Sequence, residues 1–147
     1  MSLCRQQAFI DASPQVVWSL LSDIDRHSEW WPGFVEVECE GLEAGCQYRQ
    51  VVTDPFGKDS EETFRVEEME DCEQLTIHCL ETGTFVRFVL TEAQGGTFLD
   101  GEAGMEPPSI KHRVWDVVVG KRWYRDWLAK SLDAIGELAK RERKPAA

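Results

Sequence analysis

A change of hydrophobic period constrains this chain more than any other feature. From Phe34 to Met105 apolar residues recur at every second position, and turn-forming residues break the run at short intervals. That pattern predicts six strands in succession: residues 34–40 (FVEVECE), 46–53 (CQYRQVVT), 61–70 (EETFRVEEME), 74–81 (QLTIHCLE), 84–93 (TFVRFVLTEA) and 96–104 (GTFLDGEAG). The breaks at 41–45, 54–58, 70–73, 82–83 and 94–96 are short enough for hairpins, so the strands should form an antiparallel meander. After Ser109 the period lengthens. Tyr124, Trp127, Leu128, Ser131, Ile135, Leu138 and Ala139 recur at three- and four-residue spacing, with Arg125, Asp126, Lys130, Asp133, Glu137 and Lys140 on the other side. This is an amphipathic helix running to about Arg143, with Gly120 as a kink or break after a looser first segment, SIKHRVWDVVV. At about 1.5 Å per residue such a helix is roughly 30 Å long or more, enough to cover one face of a curved sheet.

Ahead of the meander, Leu3 to Ile10 alternates as a first strand. DASPQVVWSLLSDID then opens a helix, with Ser13 at the N-cap and Pro14 at the first helical position, where its missing N–H leaves nothing unpaired. Val17, Leu20 and Leu21 form its buried stripe, beside Trp18. A second short helix is expected from Ile24 to Trp30, capped by Asp23 and stopped by Pro32-Gly33.

The Thr82-Gly83 pair predicts faces as well as a turn. Taken as a two-residue turn, it sets Cys79 opposite Val86, Ile77 opposite Phe88 and Leu75 opposite Leu90, an apolar face that should look inward. His78 and Arg87 then oppose each other on the outer face with Thr76, Leu80, Phe85 and Val89.

The 147 residues suit a single domain spanning 1–147, and 42% apolar with 29% charged residues is an ordinary globular balance. A formal net charge of -11 disfavours nucleic acid, whose affinity comes from Lys and Arg on phosphates. The basic tail KRERKP reads as favourable charge at a helix C-terminus. Cys4, Cys39, Cys46, Cys72 and Cys79 form no C-x-x-C pair and are odd in number, which fits reduced thiols and a cytoplasmic location. No apolar run approaches the roughly 20 residues of a membrane span, and no leader pattern opens the chain, so stable membrane insertion is not expected. His27, His78 and His112 fall on three different elements, without metal-ligand spacing. G-x-S-x-G, P-loop and G-x-G-x-x-G motifs do not occur.

The order of elements, with IDASPQVVWSLLSDIDRHSEWWPGF near the start, resembles the polyketide cyclase and START-like (SRPBCC) superfamily, which includes the birch-pollen allergen type. The residues that carry the resemblance are Ile10, Ala12, Ser13 and Pro14, the Val17-Trp18 pair, Asp23, and the W-x-P pattern of Trp30-Trp31-Pro32. GCQYR (45–49), GGTFL (95–99) and SLDAIGELAKR (131–141) are similar to the family's third strand, last strand and terminal helix. The resemblance implies an α+β helix-grip fold: a curved seven-stranded antiparallel sheet wrapped around a long C-terminal helix, with two short helices after the first strand. It also implies an apolar cavity between sheet and helix. It implies no catalytic residue, and no metal or cofactor is expected.

The expected walls of that cavity are Tyr48, Phe64, Val66, Ile77, Phe88, Leu90 and Leu99 from the sheet, with Phe34 at its start. Trp115, Val119, Trp123 and Trp127 would come from the terminal segment. Filling of the whole interior by these rings is the alternative. Trp30 takes the packing position of the W-x-P pattern. Trp31, extended because it precedes Pro32, should point the other way, toward the cavity entrance or a partner, and its loss should spare the fold. Glu68 follows Phe64 and Val66 in strand phase and is the candidate inward acid or ligand anchor; Gln50, after Tyr48, would need a hydrogen-bond partner if it faced inward. Three functions remain open: binding or transport of a small hydrophobic ligand (lipid, polyketide or isoprenoid type), a polyketide cyclase, aromatase or dehydratase activity, and a co-chaperone-like interaction module.

Overall fold

The computed structural model describes residues 2–54, 56–106 and 120–143. Strand β1 (Ser2–Ile10) leads into helix α1 (Pro14–Ser22), a 3-10 turn (Ile24–Arg26) and the short helix α2 (His27–Trp30). Six strands follow: β2 (Phe34–Glu38), β3 (Gln47–Thr53), β4 (Asp59–Glu70), β5 (Gln74–Cys79), β6 (Thr84–Ala93) and β7 (Gly96–Met105). The last described element is helix α3 (Lys121–Arg143). All seven expected strands are present, and the strand order is β1-β7-β6-β5-β4-β3-β2, with every neighbouring pair antiparallel. The first strand thus lies beside the last, Ser2 opposite Met105 and Ile10 opposite Thr97.

Local chemistry accounts for the helix pair. Ser13 Oγ accepts from the Val16 backbone N–H at 3.4 Å, and Pro14 occupies the first turn. Asp23 Oδ1 accepts from Asp25 N–H at 3.0 Å, capping the 3-10 turn that forms the first half of the expected second helix. Val17, Leu20 and Leu21 are fully buried. The stop at Pro32-Gly33 has a steric reason: Gly33 has φ +80°, and its carbonyl accepts from Thr53 N–H at 2.8 Å. A Cβ there would lie 3.1 Å from Thr53 O.

Helix α3 packs on β1 and β7 and against α1 and α2. Its close approach depends on Gly101 in β7, where a Cβ would come within 2.7 Å of Leu128 Cδ1. Tyr124, Leu128, Ile135 and Ala139 are buried on this face, as their spacing predicted.

The β5–β6 hairpin differs from expectation in register but not in faces. Ile77 pairs with Val86 and Leu75 with Phe88, so the connection is the four-residue loop 80–83 rather than Thr82-Gly83 alone. A slip of two residues preserves side-chain parity. Leu75, Ile77, Cys79, Val86, Phe88 and Leu90 are all buried, as expected of the inward face. His78 pairs with Phe85 and Arg87 with Thr76, on the outer face, where His78 Nδ1 lies 3.5 Å from Glu67 and Arg87 donates to Gln74 Oε1.

Candidate functional site

The cavity takes shape where the sheet curves away from the first turns of α3. There Trp31 and Pro32 leave α2, the β3–β4 loop folds over, and Trp123, Tyr124 and Trp127 face the inner surface of β4 to β7. A cavity of about 530 Å³ remains between them. Its apolar wall includes Trp31, Phe64, Ile77, Val86, Met105 and Trp127. Polar groups enter from Asp54, Lys58 and Ser60 on one side, Glu62 on β4, and Thr82, Thr84 and Tyr124 on the other.

The two tryptophans divide as follows. Trp30 is buried, donates from Nε1 to Leu20 O at 2.8 Å, and meets Phe88 edge-on. Trp31, with extended backbone (φ -84°, ψ 109°), turns into the cavity wall and meets Phe64 and Trp127 edge-on at centroid distances of 5.7 and 5.0 Å. It is also buried, so it is a structural residue as well as a cavity one. Behind it the fully buried His27 ring stacks nearly parallel to the indole (14°), and Nε2 of His27 donates to Leu21 O at 2.7 Å. Trp127 Nε1 donates to Pro32 O at 3.1 Å, tying α3 to the α2–β2 link.

Of the expected wall residues, Trp31, Phe64, Ile77, Trp123 and Trp127 line the cavity. Tyr48, Val66, Phe88, Leu90 and Leu99 are buried and belong to the packed core around it. Phe34 is half-buried against that core. Trp115 and Val119 lie outside the described residues. Glu68 requires a correction: it is exposed and touches no part of the cavity. A β-bulge between Val66 and Glu68 places one extra residue, Glu67, in β4. Parity therefore inverts after Val66; both Glu67 and Glu68 face water, and Met69 packs inward.

The strand carboxyl that does enter the cavity is Glu62, two residues before Phe64 on the same strand face. It is half-buried and accepts from the Cys79 thiol, Sγ to Oε2 3.4 Å. Burial, reinforced by the charges of Glu81 and Asp54, holds its pKa above the usual carboxylate range against the opposing bond from Cys79. Burial and the Glu62 charge push the Cys79 thiol up to about 12, so it is protonated and not nucleophilic near neutral pH. Beside Glu62, Gln50 is buried, and neither its Nε2 nor its Oε1 has a hydrogen-bond partner among the described residues. The Tyr48 hydroxyl is likewise unpartnered, and burial raises its pKa. All five cysteines are free, and no cluster of His, Cys, Asp or Glu among the described residues could hold a metal ion. Nor is any described helix long and apolar enough to cross a membrane.

Residues 3–139 match the family model described as polyketide cyclase / dehydrase and lipid transport. No curated protein sequence matches the chain significantly. Solved structures with the same fold include a protein from Chromobacterium violaceum, 19% identical over 95% of this chain and 97% of that one, with a TM-score of 0.73. Another, from Rhodobacter sphaeroides, is 21% identical over 95% and 93% of the two chains (TM-score 0.67). A solution structure of an Arthrobacter aurescens protein is 16% identical over 98% and 87% (TM-score 0.73).

Proposed function

Because the chain belongs to the polyketide cyclase / dehydrase and lipid transport family, we propose that it binds or carries a small hydrophobic molecule in the cavity between the sheet and α3. The observation that supports this best is the cavity itself. Its volume of about 530 Å³ falls within the roughly 300–1,000 Å³ usual for small-molecule sites, and it combines apolar walls with a few convergent polar groups. The chain acts in this reading as one domain in the cytoplasm. Its net charge of -11 makes nucleic acid a poor partner.

Three tryptophans in the wall, Trp31, Trp123 and Trp127, provide the test. Titration with aromatic or long-chain apolar compounds should shift or quench tryptophan emission saturably, and native mass spectrometry should show one-to-one adducts. A flat titration together with a bare chain in the mass spectrum would refute the proposal.

Glu62 supports a second reading, a cyclase- or dehydratase-type enzyme. Burial in an apolar wall raises the Glu62 pKa from its ordinary value, the direction that suits a carboxyl to act as a general acid or base. In that case Glu62→Gln would abolish turnover of a polyketide-like substrate and leave its binding in place. A Glu62→Gln protein with undiminished turnover would exclude this mechanism.

A further inference from the structure

Resting on the ligand-binding reading above, we infer that the Glu62 end of the cavity, with Gln50 buried beside it, selects an apolar ligand bearing a neutral hydroxyl group and rejects one bearing a carboxylate. Gln50 and Glu62 are direct register partners on β3 and β4. Their Cβ atoms are therefore about 5 Å apart on one sheet face. That face is the concave one, since Val52 and Phe64, in phase with them, line the cavity. Gln50 is 1% exposed, yet both atoms of its amide lack partners among the described residues. Gln50 does not itself line the cavity but lies directly beside Glu62, which does. A buried amide left without hydrogen bonds opposes folding, and a ligand group inserted between the two side chains would supply them.

The chemistry of that group follows from what the two side chains offer. Glu62 has acceptor capacity beyond its bond from Cys79, and Gln50 contributes the two N–H donors of Nε2 and the acceptor Oε1. A hydroxyl donates once and accepts once or twice, so one hydroxyl can donate to Glu62 and accept from Gln50 Nε2 together. A carboxylate satisfies the amide donor but sets a second negative charge against Glu62, in a region where Glu81 and Asp54 already act on that group. Lys58 is the sole cation among the described lining residues, and it is exposed on the β3–β4 loop. The hydroxyls across the cavity are engaged with each other: Tyr124 to Thr84 at 2.7 Å and Thr82 to Thr84 at 2.9 Å. Among the described residues, the Gln50 amide and the Tyr48 hydroxyl are buried without partners on the strand face beside Glu62 and Phe64.

Three matched fluorescent probes test this at pH 7: pyrene, hydroxypyrene and pyrenecarboxylate, with affinity read by fluorescence anisotropy. Hydroxypyrene should bind at least about tenfold tighter than pyrenecarboxylate. Glu62→Gln should narrow that gap by strengthening pyrenecarboxylate binding. Gln50→Leu should raise the midpoint of thermal unfolding while weakening hydroxypyrene several-fold and leaving pyrene unchanged, a combination that a purely structural glutamine would not produce. Pyrenecarboxylate binding as tightly as hydroxypyrene, or hydroxypyrene affinity unaltered in Gln50→Leu, overturns the inference and leaves the cavity reading intact. Failure of all three probes, pyrene included, overturns the cavity reading itself and the inference with it.

Discussion

His27 makes the domain acid-labile by an amount that can be worked out from its surroundings. The ring is fully buried between Trp30 and Trp31, with centroids 4.7 and 5.9 Å away. Since Nε2 donates to the Leu21 carbonyl, Nδ1 holds the bare lone pair, and it has no partner among the described residues. Protonation would place an imidazolium N–H in an apolar site with nothing to receive it. Burial accordingly lowers the pKa from 6.5 to about 4, outweighing the Leu21 bond and the Asp23 charge, which both favour the cation. The folded value lies below the unfolded one, so the unfolded chain takes up the proton first. The contribution to stability is complete above about pH 6.5 and is lost as pH falls from there through about 4. At about 1.36 kcal/mol per unit of separation the full loss is about 3 kcal/mol, of which about 2 kcal/mol has gone by pH 5. Many carboxylates also titrate in this range, so the measurement is a difference. Urea unfolding followed by tryptophan emission at pH 7, 6 and 5 is compared for the native chain and His27→Gln, whose amide can still donate to Leu21 O but does not titrate. The native chain should lose about 2 kcal/mol more than the variant between pH 7 and 5. Parallel stability curves would show that His27 is not held neutral by burial.

Three further outcomes follow from the packing. Trp30→Ala should cost about 3–5 kcal/mol in urea unfolding, and Trp31→Ala, whose ring is also buried but borders a cavity, should cost less though clearly more than zero. Glu62→Gln should raise the unfolding midpoint at pH 7: a carboxyl with a raised folded pKa stabilises fully below its unfolded value of 4.5 and loses that contribution as pH rises, so the gain should vanish below that value. Gly101→Ala should destabilise by about 1–3 kcal/mol because its Cβ would meet Leu128 at 2.7 Å. In a double-mutant cycle Leu128→Ala should be less costly in the Gly101→Ala background than in the native chain, and strict additivity would exclude the contact.

Alternation and register carry different information, and this separates what was legible in the sequence from what was not. The inward faces of β5 and β6 could be read because parity survives a slip of two residues. The pairing of Ile77 with Val86 rather than Phe88 could not, since both registers bury the same side chains and loop length alone chooses between them. Trp31 was legible in direction, because Pro32 forces the preceding residue to be extended; its burial was not, because Trp127 and Phe64 reach it from distant parts of the chain. Division of the apolar residues into cavity wall and solid core is likewise tertiary. Phe64 and Val66 share one strand face, yet Phe64 lines the open space and Val66 does not.

The polar end of the cavity was misplaced by a single residue. Strand phase counted forward from Phe64 selects Glu68, and counted backward it selects Glu62, with equal support from alternation. The extra residue at Glu67 decides between them: its side chain turns to the outer face, where it accepts from Arg65 at 2.6 and 2.9 Å and lies near His78, and every later residue of β4 changes face. Before the bulge the phase holds, and Glu62 is carried inward to face Gln50 across the strand pair. The bulge thus leaves one carboxyl of the two in the cavity, at the position where an unpartnered amide is available to share a ligand with it.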